Sequence, residues 1–234
     1  MDYDIVSSEL EEEFSWRYTE IRKLQNILSL LLDENEKKVY RKSLVVMLYS
    51  HFEGFFKFTF LYYIAKINAQ KYKRKQLNKA LITASMNTEF LAYENLDRKC
   101  KIFQRQLPDD TEIHRYSRRI DFLDAFSEFL ERIASIPDNV VDTESNLKPI
   151  VLRKILFRLG FDSSIAKKYD NSINRLLSYR NDIAHGGGKF RQGFTNDDYT
   201  DIKNSTLQLM NDIKELVAHS LRDESFLADN EQYQ

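Results

Sequence analysis

The chain is predicted to be all-α, and three features predict it. Its 234 residues include only 6 glycines and 3 prolines. An all-β fold needs turn residues every few positions, so this scarcity favours long helices. Apolar residues recur at helical spacing over long stretches. No alternating stretch is long enough to make a strand.

The first helix is predicted over 7–32. Ser7 or Ser8 can cap it, and Glu9, Glu11, Glu12 and Glu13 complement the positive end of its dipole. Phe14, Ile21, Leu24, Ile27, Leu28 and Leu31 form its apolar stripe, and DENEKK makes the turn behind it. The second helix runs from about Lys38 to about Tyr72 and is apolar nearly all round at its centre, which marks the most buried element. Its 44–67 stretch is long enough to span a bilayer. However, His51, Glu53 and Lys57 sit near the middle, where a charge costs ~2.5–3.5 kcal/mol on insertion scales. It is read as a buried helix, with no membrane contact. At least one helix falls in 81–107, Pro108 marks a break, and 121–136 is amphipathic through Phe122, Leu123, Phe126, Phe129, Leu130 and Ile133. SIPDNVVDTESN is the strongest loop signal. LKPIVLRKILFRLGFD reads as a short helix stopped by Gly160. A helix over about 163–185 follows, then the loop GGGKFRQGF, then a last helix from near Asn196 to about Leu221.

Hydrophobic residues make up 42% and charged residues 30%, the composition of a globular chain that is neither disordered nor fibrous. We read residues 1–234 as a single domain, with core helices at about 7–72 and 145–222, a helical insert at about 73–140 and a frayed tail at 223–234. The net charge of -1 excludes a global basic field, so contact with nucleic acid must be local. Cys100 is the lone cysteine, which excludes an internal disulfide and a cysteine-based zinc site and suits a reducing, cytoplasmic setting. The acidic first residues, MDYDIVSSELEEEF, lack the apolar core of a signal peptide.

Chemistry concentrates in YRNDIAHGGG, residues 179–188, which holds three of the six glycines. Arg180 offers a planar, permanently charged fork that suits phosphate. His185 titrates near neutrality and can take or give a proton. Asn181 and His185 are four apart and share a helix face. Arg180 lies about 140° round the axis from His185 at ~100° per residue, so a second copy of the chain, or a swing of the long arginine stem, must complete the geometry. Gly186 can take the left-handed conformation that ends a helix, which leaves His185 in the last turn, where the dipole favours imidazolium. Gly187 and Gly188 keep the approach free of side chains. On spacing alone, a plain loop with His185 as a capping residue explains the same pattern.

RNDIAH at a helix end resembles the signature of the HEPN superfamily of small all-helical domains, above all in its RN-x-x-AHG form. LYSHFEGFFK (48–57) is similar to the second-helix motif of the MAE-like HEPN branch. SNLKPIVLRKILFRLGFD (145–162) is similar to the segment that precedes the active helix there. The likeness covers roughly residues 10 to 220, with 73–140 matching only in helical character. It implies an HEPN-like antiparallel helical bundle with additional inserted helices. It also implies a metal-independent endoribonuclease that works as a homodimer, cuts RNA through 2′-hydroxyl attack, and serves as a toxin or defence effector beside an antitoxin or regulatory protein. Arg180 would neutralise the scissile phosphate, His185 would exchange a proton with the 2′-hydroxyl or the leaving 5′-oxygen, and Asn181 would orient the histidine or the phosphate. The superfamily also includes non-catalytic modules that hold RNA, a nucleotide or a partner protein.

Glu53, on the second helix beside His51, either meets Arg180 or His185 across the bundle or pairs with Lys57 one turn on. His51 is a weaker supporting candidate. Lys189 and Arg191, just behind the motif, can contact phosphate, and Tyr179 can stack on a base. His114 with Arg115, Arg118 and Arg119, and Lys71, Lys73, Arg74 and Lys75, are basic runs that either hold an RNA backbone or form solvated faces. His219 reads as a surface residue. No His/Cys/Asp/Glu cluster has metal spacing and no glycine loop suits a nucleotide phosphate, so neither metal nor cofactor is expected.

Overall fold

The computed structural model describes residues 3–186 and 194–228. Among these, eight α-helices follow in order: α1 (Tyr3–Leu30), α2 (Glu34–Ala69), α3 (Lys79–Ser85), α4 (Asn87–Glu94), α5 (Thr111–Glu131), α6 (Pro149–Arg158), α7 (Asp170–Ala184) and α8 (Asn196–Arg222). Extended pairing among the described residues is limited to two isolated bridges, Lys73 with Ile133 and Leu77 with Leu227. The fold is all-α, as the scarcity of turn residues predicts.

Helix ends follow their caps. Asp33 accepts from the backbone N–H groups of Asn35 and Glu36, both at 2.9 Å. That satisfies orphan donors and starts α2 at Glu34, inside the stretch read as a turn. Asp110 does the same for Glu112 and Ile113 and starts α5 ten residues before the amphipathic run. Thr195 and Asp198 form a reciprocal capping box at the start of α8. α1 starts at Tyr3, so Ser7 and Ser8 lie within it and do not cap it. Residues 163–169 form a 3-10 turn, and α7 proper begins at Asp170.

The chain forms two compact units. The first comprises the described residues of Met1–Tyr63, Val141–Phe157 and Phe161–Ser225. Its α1 packs on α8 through a buried stripe from each: Val6, Leu10, Ile21 and Leu28 on one, Leu209, Met210, Ile213 and Val217 on the other. From α2 the unit takes Leu44, Val45, Leu48, Phe52, Phe55, Phe56 and Phe60, all buried, with the Phe52 and Phe56 rings 4.8 Å apart. Each such side chain removed from water contributes on the order of 1.5–3 kcal/mol. α2 is long and apolar enough to cross a membrane by length and composition, yet 56% of that window is buried within the protein.

The second unit comprises the described residues of Ile64–Val140, Arg158–Gly160 and Phe226–Gln234. Here the two basic runs are largely spent on structure. Arg74 is buried, bonded to Ser85 and ion-paired with Glu89 at 2.7 Å, while Lys73 and Lys75 both reach Glu131. His114 is buried and its Nδ1 accepts the Cys100 N–H at 3.1 Å. Arg118 is buried and donates to the carbonyls of Tyr93 and Arg98, both at 3.0 Å. Arg115 and Arg119 remain exposed. Gly160 has φ +82° and closes α6, as its position at the end of the apolar run predicts.

Candidate functional site

The site forms within the first unit, where α7 passes the middle of α2 and the turn before α6. α7 buries Ile173, Leu176 and Leu177, which turns its last turn, residues 180–184, partly outward. Tyr169 donates to Asp212 at 2.6 Å and Arg175 pairs with Asp198 at 2.9 Å, so the N-terminal cap and the middle of the helix are tied to α8.

Arg180 is half-buried. Its guanidinium carbon lies 4.6 Å above the ring centre of Tyr49 on α2, a cation–π contact. Its Nη1 donates to Asn181 Oδ1 at 2.8 Å and to Asn146 Oδ1 at 3.1 Å. Guanidinium carries only donors, so each amide must turn its oxygen inward and its nitrogen away. Arg180 Nε and Nη2 and both amide nitrogens make no hydrogen bond among the described residues. The result is a cluster of donors with no carboxylate of the described residues ion-paired to the guanidinium.

Tyr49 is the central support. It is buried, and its hydroxyl accepts the Leu147 N–H at 3.1 Å. Burial above all pushes its hydroxyl pKa up to about 12. The Leu147 donor and the Arg180 charge oppose this shift, while the Glu53 carboxylate one helical turn away adds to it by charge and hydrogen bonding. Glu53 forms no ion pair with Arg180, His185 or Lys57 among the described residues. Neither Tyr49 nor Asn146 was legible as a site residue, because each is common in cores and turns. The only sequence signal was their place within LYSHFEGFFK and SNLKPIVLRKILFRLGFD.

Asn146 and Leu147 belong to a tight turn. Glu144 and Ser145 take φ of +51° and +62°, a left-handed conformation uncommon outside glycine. Asp142 accepts the Glu144 N–H at 2.8 Å, Thr143 O accepts the Asn146 N–H at 3.0 Å, and an ion pair joins Glu144 to Lys154.

His185 is the C-cap of α7, with its N–H on Asn181 O at 3.0 Å. Its imidazole is exposed and makes no hydrogen bond or ion pair among the described residues. Gly186 follows with φ +68°, the left-handed stop that its position predicts, and no atom of the described residues lies within 4 Å of where its Cβ would be. Gly187, Gly188, Lys189 and Arg191 lie outside the described residues. Tyr179 packs edge-on against Phe194, with ring centres 4.5 Å apart.

The structure brings Arg180, Asn181, Tyr49, Glu53 and Asn146 together, with His185 one turn along α7. His51 is elsewhere. It is buried against α1, with Nε2 2.9 Å from Glu20 and its ring edge-on to Trp16 at 5.3 Å. Burial pushes its pKa below the usual histidine range. The Arg17 charge adds to this and Glu20 opposes it.

No curated protein and no solved structure matches this chain. A family model does: that of RiboL-PSP-HEPN, over residues 12–219, which includes every described residue of the site. The all-helical architecture agrees with that match, and the chain is an HEPN-type, RNase-like module. A match over most of its length places this chain in the RiboL-PSP-HEPN family of the HEPN superfamily.

Proposed function

We propose that this chain is a metal-independent endoribonuclease whose site is the last turn of α7. One observation carries the reading: a guanidinium held from three sides, with its remaining donors and two amide nitrogens unengaged among the described residues, five positions before an exposed imidazole. Such a donor cluster suits a phosphodiester, whose charge grows on its oxygens in the transition state. The 2′-oxygen attacks phosphorus and the 5′-oxygen leaves. A base takes the 2′-proton and an acid protonates the 5′-oxygen, which yields a 2′,3′-cyclic phosphate and a 5′-hydroxyl. Arg180 neutralises the phosphate, Asn181 orients the guanidinium, and His185 exchanges the proton.

One imidazole serves one transfer at a time, so the reading includes a homodimer in which a second copy supplies the other. Exposed Ser43, Val46 and Ser50 on α2 beside Ile183 of α7 offer a face for it. A cytoplasmic toxin or defence role, restrained by an antitoxin or regulatory protein, fits such an enzyme. Lys189, Arg191 and Tyr179 remain candidate RNA contacts.

Arg180→Ala and His185→Ala are each expected to lower RNA cleavage by at least ~100-fold, the range for losing a general acid–base or charge-stabilising group. Fold and dimer should be unchanged, and chelator should have no effect. Assays of purified protein on total RNA and tRNA, read by product end-chemistry, check this. Cleavage that survives both changes, or that needs metal, defeats the proposal.

No described residue orients the His185 imidazole as a general base needs, which favours a second reading, a non-catalytic module that binds RNA, a nucleotide or a partner protein. Expression in a host separates the two. An enzyme slows growth and His185→Ala relieves it, whereas a binding module does neither.

A further inference from the structure

We propose that Asn146 is a further substrate-binding residue of the Arg180 site, its Oδ1 fixing the guanidinium and its Nδ2 donating to the same phosphate. The inference rests on the ribonuclease reading. It adds a residue from a different part of the chain, thirty-four positions before Arg180, outside the RNDIAH stretch.

Arg180 Nη1 is shared between two amide oxygens, at 2.8 Å from Asn181 and 3.1 Å from Asn146. A guanidinium cannot accept a hydrogen bond, so the Asn146 oxygen must face it. The planar amide then directs Nδ2 away from Nη1, beside a fixed positive charge, with no hydrogen bond to any described residue. Asn146 is partly exposed, so the donor is reachable. An uncharged donor held against a cation, with no acceptor of its own, is arranged for an anion that arrives from outside.

The turn that carries Asn146 is built at a cost. Two consecutive non-glycine residues, Glu144 and Ser145, hold positive φ just before it. Left-handed residues persist where surrounding structure over-determines them, and they cluster at binding sites. Here the surroundings are identifiable. The Thr143 carbonyl holds the Asn146 N–H, the Asn146 carbonyl accepts from Lys148 at 2.7 Å, and the buried Tyr49 hydroxyl holds Leu147. Tyr49 thus lies beneath both donors, under the guanidinium through its ring and behind the turn through its oxygen. These bonds to the turn are made by backbone groups and by Tyr49, and none uses the Asn146 side chain.

The test is a binding cycle with a short single-stranded RNA methylated on every 2′-oxygen, which cannot be cut, alongside cleavage of the unmethylated RNA. Asn146→Ala is expected to bind roughly tenfold more weakly, the size of one hydrogen bond to a charged group. In an Arg180→Ala background the same change should still weaken binding severalfold, because direct donation does not pass through the arginine. Asn146→Asp keeps an acceptor for Arg180 and replaces the donor with a negative oxygen, so it should bind more weakly than Asn146→Ala. It also serves as the test if the alanine variant does not fold. If Asn146→Asp binds as tightly as wild type, or the effect of Asn146→Ala vanishes without Arg180, the proposal is overturned. If Arg180→Ala itself changes neither binding nor cleavage, the ribonuclease reading fails and this proposal falls with it. If Arg180→Ala is inactive and both Asn146 variants match wild type, only this proposal falls.

Discussion

At the scale of the residue, neighbours decide what a titratable side chain can do. His51 and His185 have the same chemistry and opposite settings. His185 caps a helix in the open, while His51 is sealed between α1 and α2 beside Trp16 and Glu20. Because the folded protein disfavours the charged form of His51, it binds fewer protons there than the unfolded chain does. The stability that His51 contributes is therefore present above the usual histidine range and is lost as pH falls below about 6.5. Urea midpoints measured between pH 7.5 and 5 should fall with acid in the wild type and fall less in His51→Gln. An equal slope in both proteins would show that this histidine is not the titrating group.

At the scale of the element, helix ends are set by local chemistry, and two glycines show how much depends on surroundings. Gly160 and Gly186 both have positive φ. A Cβ at Gly160 would lie 2.5 Å from the side chain of Asn78, which is already engaged as the cap of α3 through the Leu81 N–H at 3.0 Å. At Gly186 it would meet no described residue. Gly186→Ala should therefore cost only the left-handed strain, about 1 kcal/mol. Gly160→Ala adds the displaced cap, for about 2–3 kcal/mol in all. Thermal unfolding should order the two, with Gly160→Ala lower in Tm by several degrees at ~2–4 °C per kcal/mol. Equal Tm values would mean that Asn78 yields freely. The start of α5 carries a related lesson. Its first turns contain His114 and Arg118, both buried, and a stripe built from polar residues is invisible to a hydrophobic pattern.

At the scale of the whole molecule, buried tyrosines couple the fold to alkaline pH. Burial pushes Tyr49 up to about 12 and drives Tyr63 and Tyr199 higher still. The folded chain therefore holds these protons more tightly than the unfolded chain. That stability is complete below the ordinary tyrosine value near 10 and drains as pH rises through and above it. A spectrophotometric titration should show a fraction of the 13 tyrosines ionising only as the protein unfolds. A single transition near 10 for all of them, with native structure retained, would contradict the packing.

Sequence alone determined that the chain is helical, where most helices lie, and that Arg180, Asn181 and His185 share the end of one of them. These follow from turn-residue scarcity, apolar period and short-range spacing, all of which act within a few residues. Tertiary structure alone decided that Tyr49 and Asn146 support the arginine and that Glu53 lies beside Tyr49 with no ion pair to the arginine among the described residues. It also decided that His51 faces α1 and that half of the two basic runs, Lys73, Arg74, Lys75 and Arg118, is committed to ion pairs and carbonyls. Those contacts join residues tens to more than a hundred positions apart, and no local period or propensity encodes which distant side chain will meet which.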